Sequence, residues 1–177
     1  MRDFKYIFKL LLVAMFLFPS CNKIDELLTF KINDSTEFVV ENIIVVNLPF
    51  DIPTPRITTD SDAEFKNNNT ASNLVKNIYL DKLQLSIKDP SDATFSFLKQ
   101  ITIYISAEGK KEIMLASKFD IDENATKIYL EPTDARLDAY VKSKSYNLRT
   151  EVTTNKIVTN DITIKANMTF IITANPF

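Results

Sequence analysis

Residues 162 to 173 read ITIKANMTFIIT, and their alternation decides the fold class. Ile162, Ile164, Ala166, Met168, Phe170 and Ile172 fall on one side of an extended chain, and Thr163, Lys165, Asn167, Thr169 and Thr173 on the other. Successive side chains of a strand point to opposite faces, so this stretch predicts a strand with one face in the core and the other toward water.

The same period of two recurs upstream. Tyr146, Leu148, Thr150 and Val152 alternate with polar residues before a turn near Asn155. Phe95 and Phe97 lead into Ile101, Ile103 and Ile105; a turn over Glu108, Gly109, Lys110 and Lys111 follows, with Ile113 and Leu115 as its hairpin partner. Residues 112–119 fit a helix as well as a strand. Ile78 and Leu80, then Leu83, Leu85 and Ile87, form a further strand that ends at Asp89 and Pro90. Leu28, Phe30 and Ile32 begin a half-buried strand that resumes at Phe38 and Val40 beyond the polar patch 33–37. Ile43 to Phe50 is nearly continuously apolar, as in a central strand, and Pro49, Pro53 and Pro55 turn it into an edge or crossover.

Between these strands, residues 58–73 are polar and unpatterned, which predicts a long exposed loop. Residues 133–144 place Leu137, Tyr140 and Val141 at helical spacing, with Thr133 or Asp134 as N-cap. Seven to nine short strands and one short helix predict an all-β fold of two packed antiparallel sheets, because a one-sided strand must bury its apolar face against a second layer. An immunoglobulin-like β-sandwich is the expected architecture.

Composition narrows the chemistry. The chain has no histidine, one cysteine (Cys21) and one glycine (Gly109). Imidazole-based catalysis, zinc or haem ligation and glycine-rich phosphate loops are therefore not expected, nor is any cofactor. Without residues 1–20, which hold Arg2, Lys5, Lys9 and Asp3, the 21 basic and 23 acidic residues fall to 18 and 22, a net charge near −4. That mildly acidic balance argues against a nucleic-acid partner.

The first residues carry the most specific signal. Arg2, Lys5 and Lys9 precede the apolar run from Leu10 to Phe18, which ends at Pro19, Ser20 and Cys21. A membrane-spanning helix needs about 20 apolar residues, so this shorter run has the layout of a removed secretory leader. Ser20 directly before Cys21, at this distance from the start, resembles the lipobox of bacterial lipoproteins. The resemblance covers residues 1–21 and implies cleavage before Cys21, lipid on its thiol, a tether over residues 21–27 and one β-sandwich domain over residues 28–177. It also implies a location at the outer membrane, since Asn22 rather than aspartate follows the cysteine. Lys23, Ile24, Asp25 and Glu26 are similar to the charged export tags of surface lipoproteins.

Within the folded part, Asp120, Asp122, Asn124 and Glu131 stand at positions 1, 3, 5 and 12 of an EF-hand-like calcium loop, where oxygen ligands converge on a hard cation. Ala125 replaces the glycine of the sharp turn and Lys127 an apolar position, so an acid-rich connection between strands is the alternative. Asp60, Asp62 and Glu64 form a second acidic group. Tyr79, Tyr104 and Tyr129 lie on or near polar faces of strands, where rings stack on sugars or fill a partner's pocket, and where tyrosine is also simply a good strand former. The sequence as a whole predicts a non-enzymatic, lipid-anchored interaction or accessory module, with an envelope protein or a glycan as partner. The alternatives are a glycan or peptide receptor for an uptake system, which needs a contiguous aromatic surface, and a carboxylate-based hydrolase, which needs two acids converging in a pocket.

Overall fold

A computed structural model of the chain describes residues 28–41 and 43–175; the leader, Cys21 and the tether through residue 27 lie outside the described residues. Among the described residues, β1 (Thr29–Val40), β2 (Pro49–Ile52), β3 (Ile57–Thr58), β4 (Val75–Asp89), β5 (Leu98–Ser106), β6 (Ile113–Phe119), β7 (Lys127–Pro132), β8 (Ser145–Thr154) and β9 (Ile162–Ala174) follow in order. Two short helices interrupt them, α1 (Ser61–Asn67) and α2 (Asp138–Val141). No helix among these residues is long and apolar enough to cross a membrane.

The strand order is β1-β9-β4-β7-β6-β5-β8-β2, with β3 also on β8, and the pairings are antiparallel. β7 joins the two halves: Lys127 to Leu130 pair with β4, while Glu131 and Pro132 pair with β6. The sheet curls there, so that β8 faces β9 and the Tyr146 ring meets the Phe170 ring edge-on at 6.4 Å. This is the expected all-β, sandwich-like arrangement, and its order is its own. Here the first strand lies against the last, whereas immunoglobulin domains place strands A, B, E, D in one sheet and C, F, G in the other.

β9 is the central strand of its layer, paired with β1 from Thr29↔Thr173 to Val40↔Ile162 on one side and with β4 on the other. Its inward residues from Ile162 to Ala174 are buried at every second position, and Met168, Phe170 and Ile172 are fully enclosed. On β4 the inward positions change from even to odd, Ile78 and Leu80 and then Leu83 and Leu85. A bulge between Leu80 and Lys82 supplies the extra residue, Asp81, which reaches Lys31 on β1 at 2.6 Å. The β5–β6 hairpin turns at Gly109, whose φ of +67° is a conformation only glycine adopts without strain. Residues 113–119 are strand, not helix.

The half-buried strand expected across the polar patch 33–37 is β1, which runs straight through with Asp34 and Thr36 in the inward register of Ile32 and Phe38. Other sequence expectations are corrected. The apolar run 43–50 is not a central strand: Ile43 makes an isolated bridge to Val158, and regular pairing begins only at Pro49. The expected loop at 58–73 contains α1, docked through Phe65, which is completely buried. The helix expected over 133–144 shrinks to α2; Leu137, Tyr140 and Val141 are buried as their spacing required, but Leu137 is its N-cap and makes no side-chain cap. Thr133 instead donates its hydroxyl to the Met114 carbonyl oxygen on β6 at 3.0 Å.

Candidate binding groove

A curled sheet that does not close leaves two edges, here β1 and β2. They face each other across a groove of about 420 Å³, with Phe38 and Val40 from β1 and Phe50 and Ile52 from β2 at its apolar wall. Pro53 and Pro55 continue the β2 side, and Glu37, Glu41 and Asp51 supply its carboxylates. Proline carries no N–H, so the β2 side is poorly equipped to pair with another strand. β1 has no proline and, among the described residues, a whole edge without a strand partner.

Asp51 is neutralised by Arg149 on β8, whose guanidinium donates to it at 2.7 Å. The same guanidinium binds Glu112 at 2.8 Å and Glu151 at 3.3 Å and lies 4.0 Å over the Tyr104 ring. These hydrogen bonds, led by those to Glu112 and Asp51, hold the guanidinium well above its ordinary pKa. Glu37 and Glu41, by contrast, make no ion pair among the described residues, although Lys165 on β9 lies across from Glu37.

Beside the groove the chain exposes much of its apolar run. Ile44 is 77% exposed, Leu48 64% and Ile157 56%, and Val39 and Val45 are also open. Backbone bonds place these residues together: Ile43 and Val158 exchange both hydrogen bonds, and the Asn47 N–H donates to the Thr154 carbonyl oxygen at 2.8 Å. The segment 43–48 thus lies along 154–158 with Ile43 buried and Ile44, Val45 and Leu48 exposed. Surface apolar residues scattered singly need no explanation, whereas a group gathered at one edge marks an interaction surface.

The opposite end of the seam is closed by α1. Phe65 meets Phe30 of β1 edge-on at 6.4 Å, and the Thr59 hydroxyl donates to the Ser143 carbonyl oxygen to tie the helix entry to the segment leading into β8. Beneath it, the Tyr146 hydroxyl donates to Asp34 Oδ2 at 2.8 Å. Burial raises the Asp34 carboxyl above its ordinary pKa; the bond from Tyr146 lowers it in part, and the charges of Asp60 and Glu64 raise it further. The Tyr146 phenol is driven well above its usual range, by burial first and then by the Asp34 charge, and so stays a donor.

The folded Asp34 carboxyl therefore keeps its proton to higher pH than in the unfolded chain. Folding takes up a proton in the window just above the ordinary carboxyl value of 3.8, and stability declines as pH rises through that window. Asp34→Asn retains an acceptor for Tyr146 and removes the charge. Its expected effect is a melting temperature a few degrees higher at pH 7 and a flatter decline between acid and neutral pH, measured by thermal denaturation of the full chain.

The residues singled out from sequence are dispersed. Asp122 accepts the Asn124 N–H at 2.9 Å, which forms a turn within the connection between strands. Glu131 lies beyond it on β7, opposite Ser117 and 3.5 Å from Lys118. An extended strand cannot curl its last residue back to Asp120 as a calcium loop requires, and among the described residues no three His, Cys, Asp or Glu side chains could hold a metal ion. The charges of Asp60 and Glu64 both act on Asp34, while Asp60 and Asp62 line a second pocket with Lys66 and Lys144.

Tyr129 stands 54% exposed on β7 with Lys82 over its ring, and Tyr79 is half-buried on β4, in the same layer. Tyr104 lies beneath Arg149 on the outer face of the other layer, so the three rings form no contiguous surface. Sequence reasoning missed the groove because it assigned residues 43–50 to the interior. Its one available signal was the trio Pro49, Pro53 and Pro55, which marks an edge.

The fold and the groove define an all-β, sandwich-like protein with an unclosed, apolar-edged seam. No protein-family model matches the chain, and no curated protein shows significant similarity to it.

Proposed function

We propose that this chain is a non-enzymatic interaction module, held at the outer membrane by lipid on Cys21, that docks an envelope protein at the open seam. The observation that carries the reading is the group of exposed apolar residues, Ile44, Val45, Leu48 and Ile157, beside the groove. The anchor rests on the lipobox-like residues. β1 begins eight positions after Cys21, and at about 3.3 Å per residue it carries Val39 roughly 33 Å from its own start. The docking surface thus lies toward the end of β1 farther from its start.

The test is co-purification of the full, lipidated chain from mildly solubilised native membranes, beside the double variant Ile44→Asp, Leu48→Asp. Both side chains are exposed, so the variant should fold with little change in stability. A protein recovered in stoichiometric amount with the natural chain should fall at least tenfold with the variant, since a buried charge without a partner disrupts an apolar interface. Equal recovery with both chains, or no partner with the natural chain, would contradict the proposal.

A further inference from the structure

The groove can be read more finely through the geometry of β1. Its residues Glu37 to Val40, with Glu41 just beyond its end, line the groove on an edge that has no strand partner among the described residues. Phe38 and Val40 are buried toward the core, while Glu37, Val39 and Glu41 are exposed on the other face. A segment laid along this edge would accept and donate main-chain hydrogen bonds, and its side chains would alternate between the two faces. Those turned inward would meet Phe38, Val40, Phe50 and Ile52; those turned outward would stand beside Glu37 and Glu41.

We propose, building on the docking role above, that this edge takes an extended segment of the partner as an added strand, with apolar residues alternating with lysine or arginine. Three observations specify that occupant. The inner wall is apolar and continuous with the core. Glu37 and Glu41 form no ion pair among the described residues, and Lys165 faces Glu37 only from the paired side, so opposite charges placed on the open side gain a favourable cross-strand pair. Pro49 in β2 and Pro53 and Pro55 just after it leave β1 as the edge that offers backbone groups.

The test uses the full chain in detergent micelles and two synthetic nine-residue peptides, one alternating valine with lysine and one alternating valine with glutamate, followed by amide hydrogen exchange. The lysine peptide should slow exchange within residues 37–41 and bind at least tenfold more tightly than the glutamate peptide. In the double variant Glu37→Lys, Glu41→Lys the order should reverse, with exchange in β9 and β4 unchanged as the sign that the fold is intact. Absence of protection at millimolar lysine peptide overturns strand addition, as does equal binding of the two peptides by the natural chain. Strand addition fails alone if the membrane partner is still lost with Ile44→Asp, Leu48→Asp; if that dependence is missing too, the docking role itself fails.

Discussion

Phe170→Ala should destabilise the fold more than any surface change, by about 3–5 kcal/mol, the usual range for removing a fully buried phenylalanine ring. Phe170 has no solvent exposure, sits mid-way along the central strand β9, and packs edge-on against Tyr146 of the facing layer. Tyr146 in turn binds Asp34, so the cavity would open beside a half-buried carboxyl group and the tyrosine hydroxyl that donates to it. Domains of this size are stable by about 5–15 kcal/mol in all, so the loss would take a large share of the total. Denaturant unfolding of the full chain checks it, and a cost under about 1 kcal/mol would show that the two layers do not depend on this contact.

Cys21→Ala should have the largest effect on location. Two or more acyl chains give stable attachment, since each buried methylene contributes about 0.8 kcal/mol, and no helix among the described residues could substitute for them. Nearly all of the protein is expected to move from the membrane fraction to the soluble one. The melting temperature should stay unchanged, because the cysteine precedes β1 by eight positions. Unaltered membrane retention in fractionation would remove the lipid anchor from the proposal.

Strands whose environment is one-sided were readable in the sequence. ITIKANMTFIIT alternates cleanly because β9 buries one face along its whole length, and Ile101, Ile103 and Ile105 do the same on β5. Where tertiary context overrides local pattern, the reading failed. Asp34 lies inward because Tyr146 donates a hydrogen bond to it, a partner 112 residues away that no local window contains. Phe65 is the one large apolar residue in a polar stretch, too little to signal a helix, yet it anchors α1 against Phe30.

The groove was hidden for a related reason. An apolar run such as Ile43–Phe50 looks the same whether it lies in a core or at an exposed edge, and only the unclosed strand order shows which. The tyrosines were visible as residues but not as a surface, because Tyr79 and Tyr129 share one layer while Tyr104 lies on the other.

Site-specific photo-crosslinking in living cells tests the docking role most directly, with the photoreactive residue placed in the full chain at Leu48 beside the seam or, as a control, at exposed Phe119 on β6. A single membrane-associated adduct from position 48, absent from position 119 and lost with Cys21→Ala, is the predicted result. No adduct from position 48, or the same adducts from both positions, would contradict it.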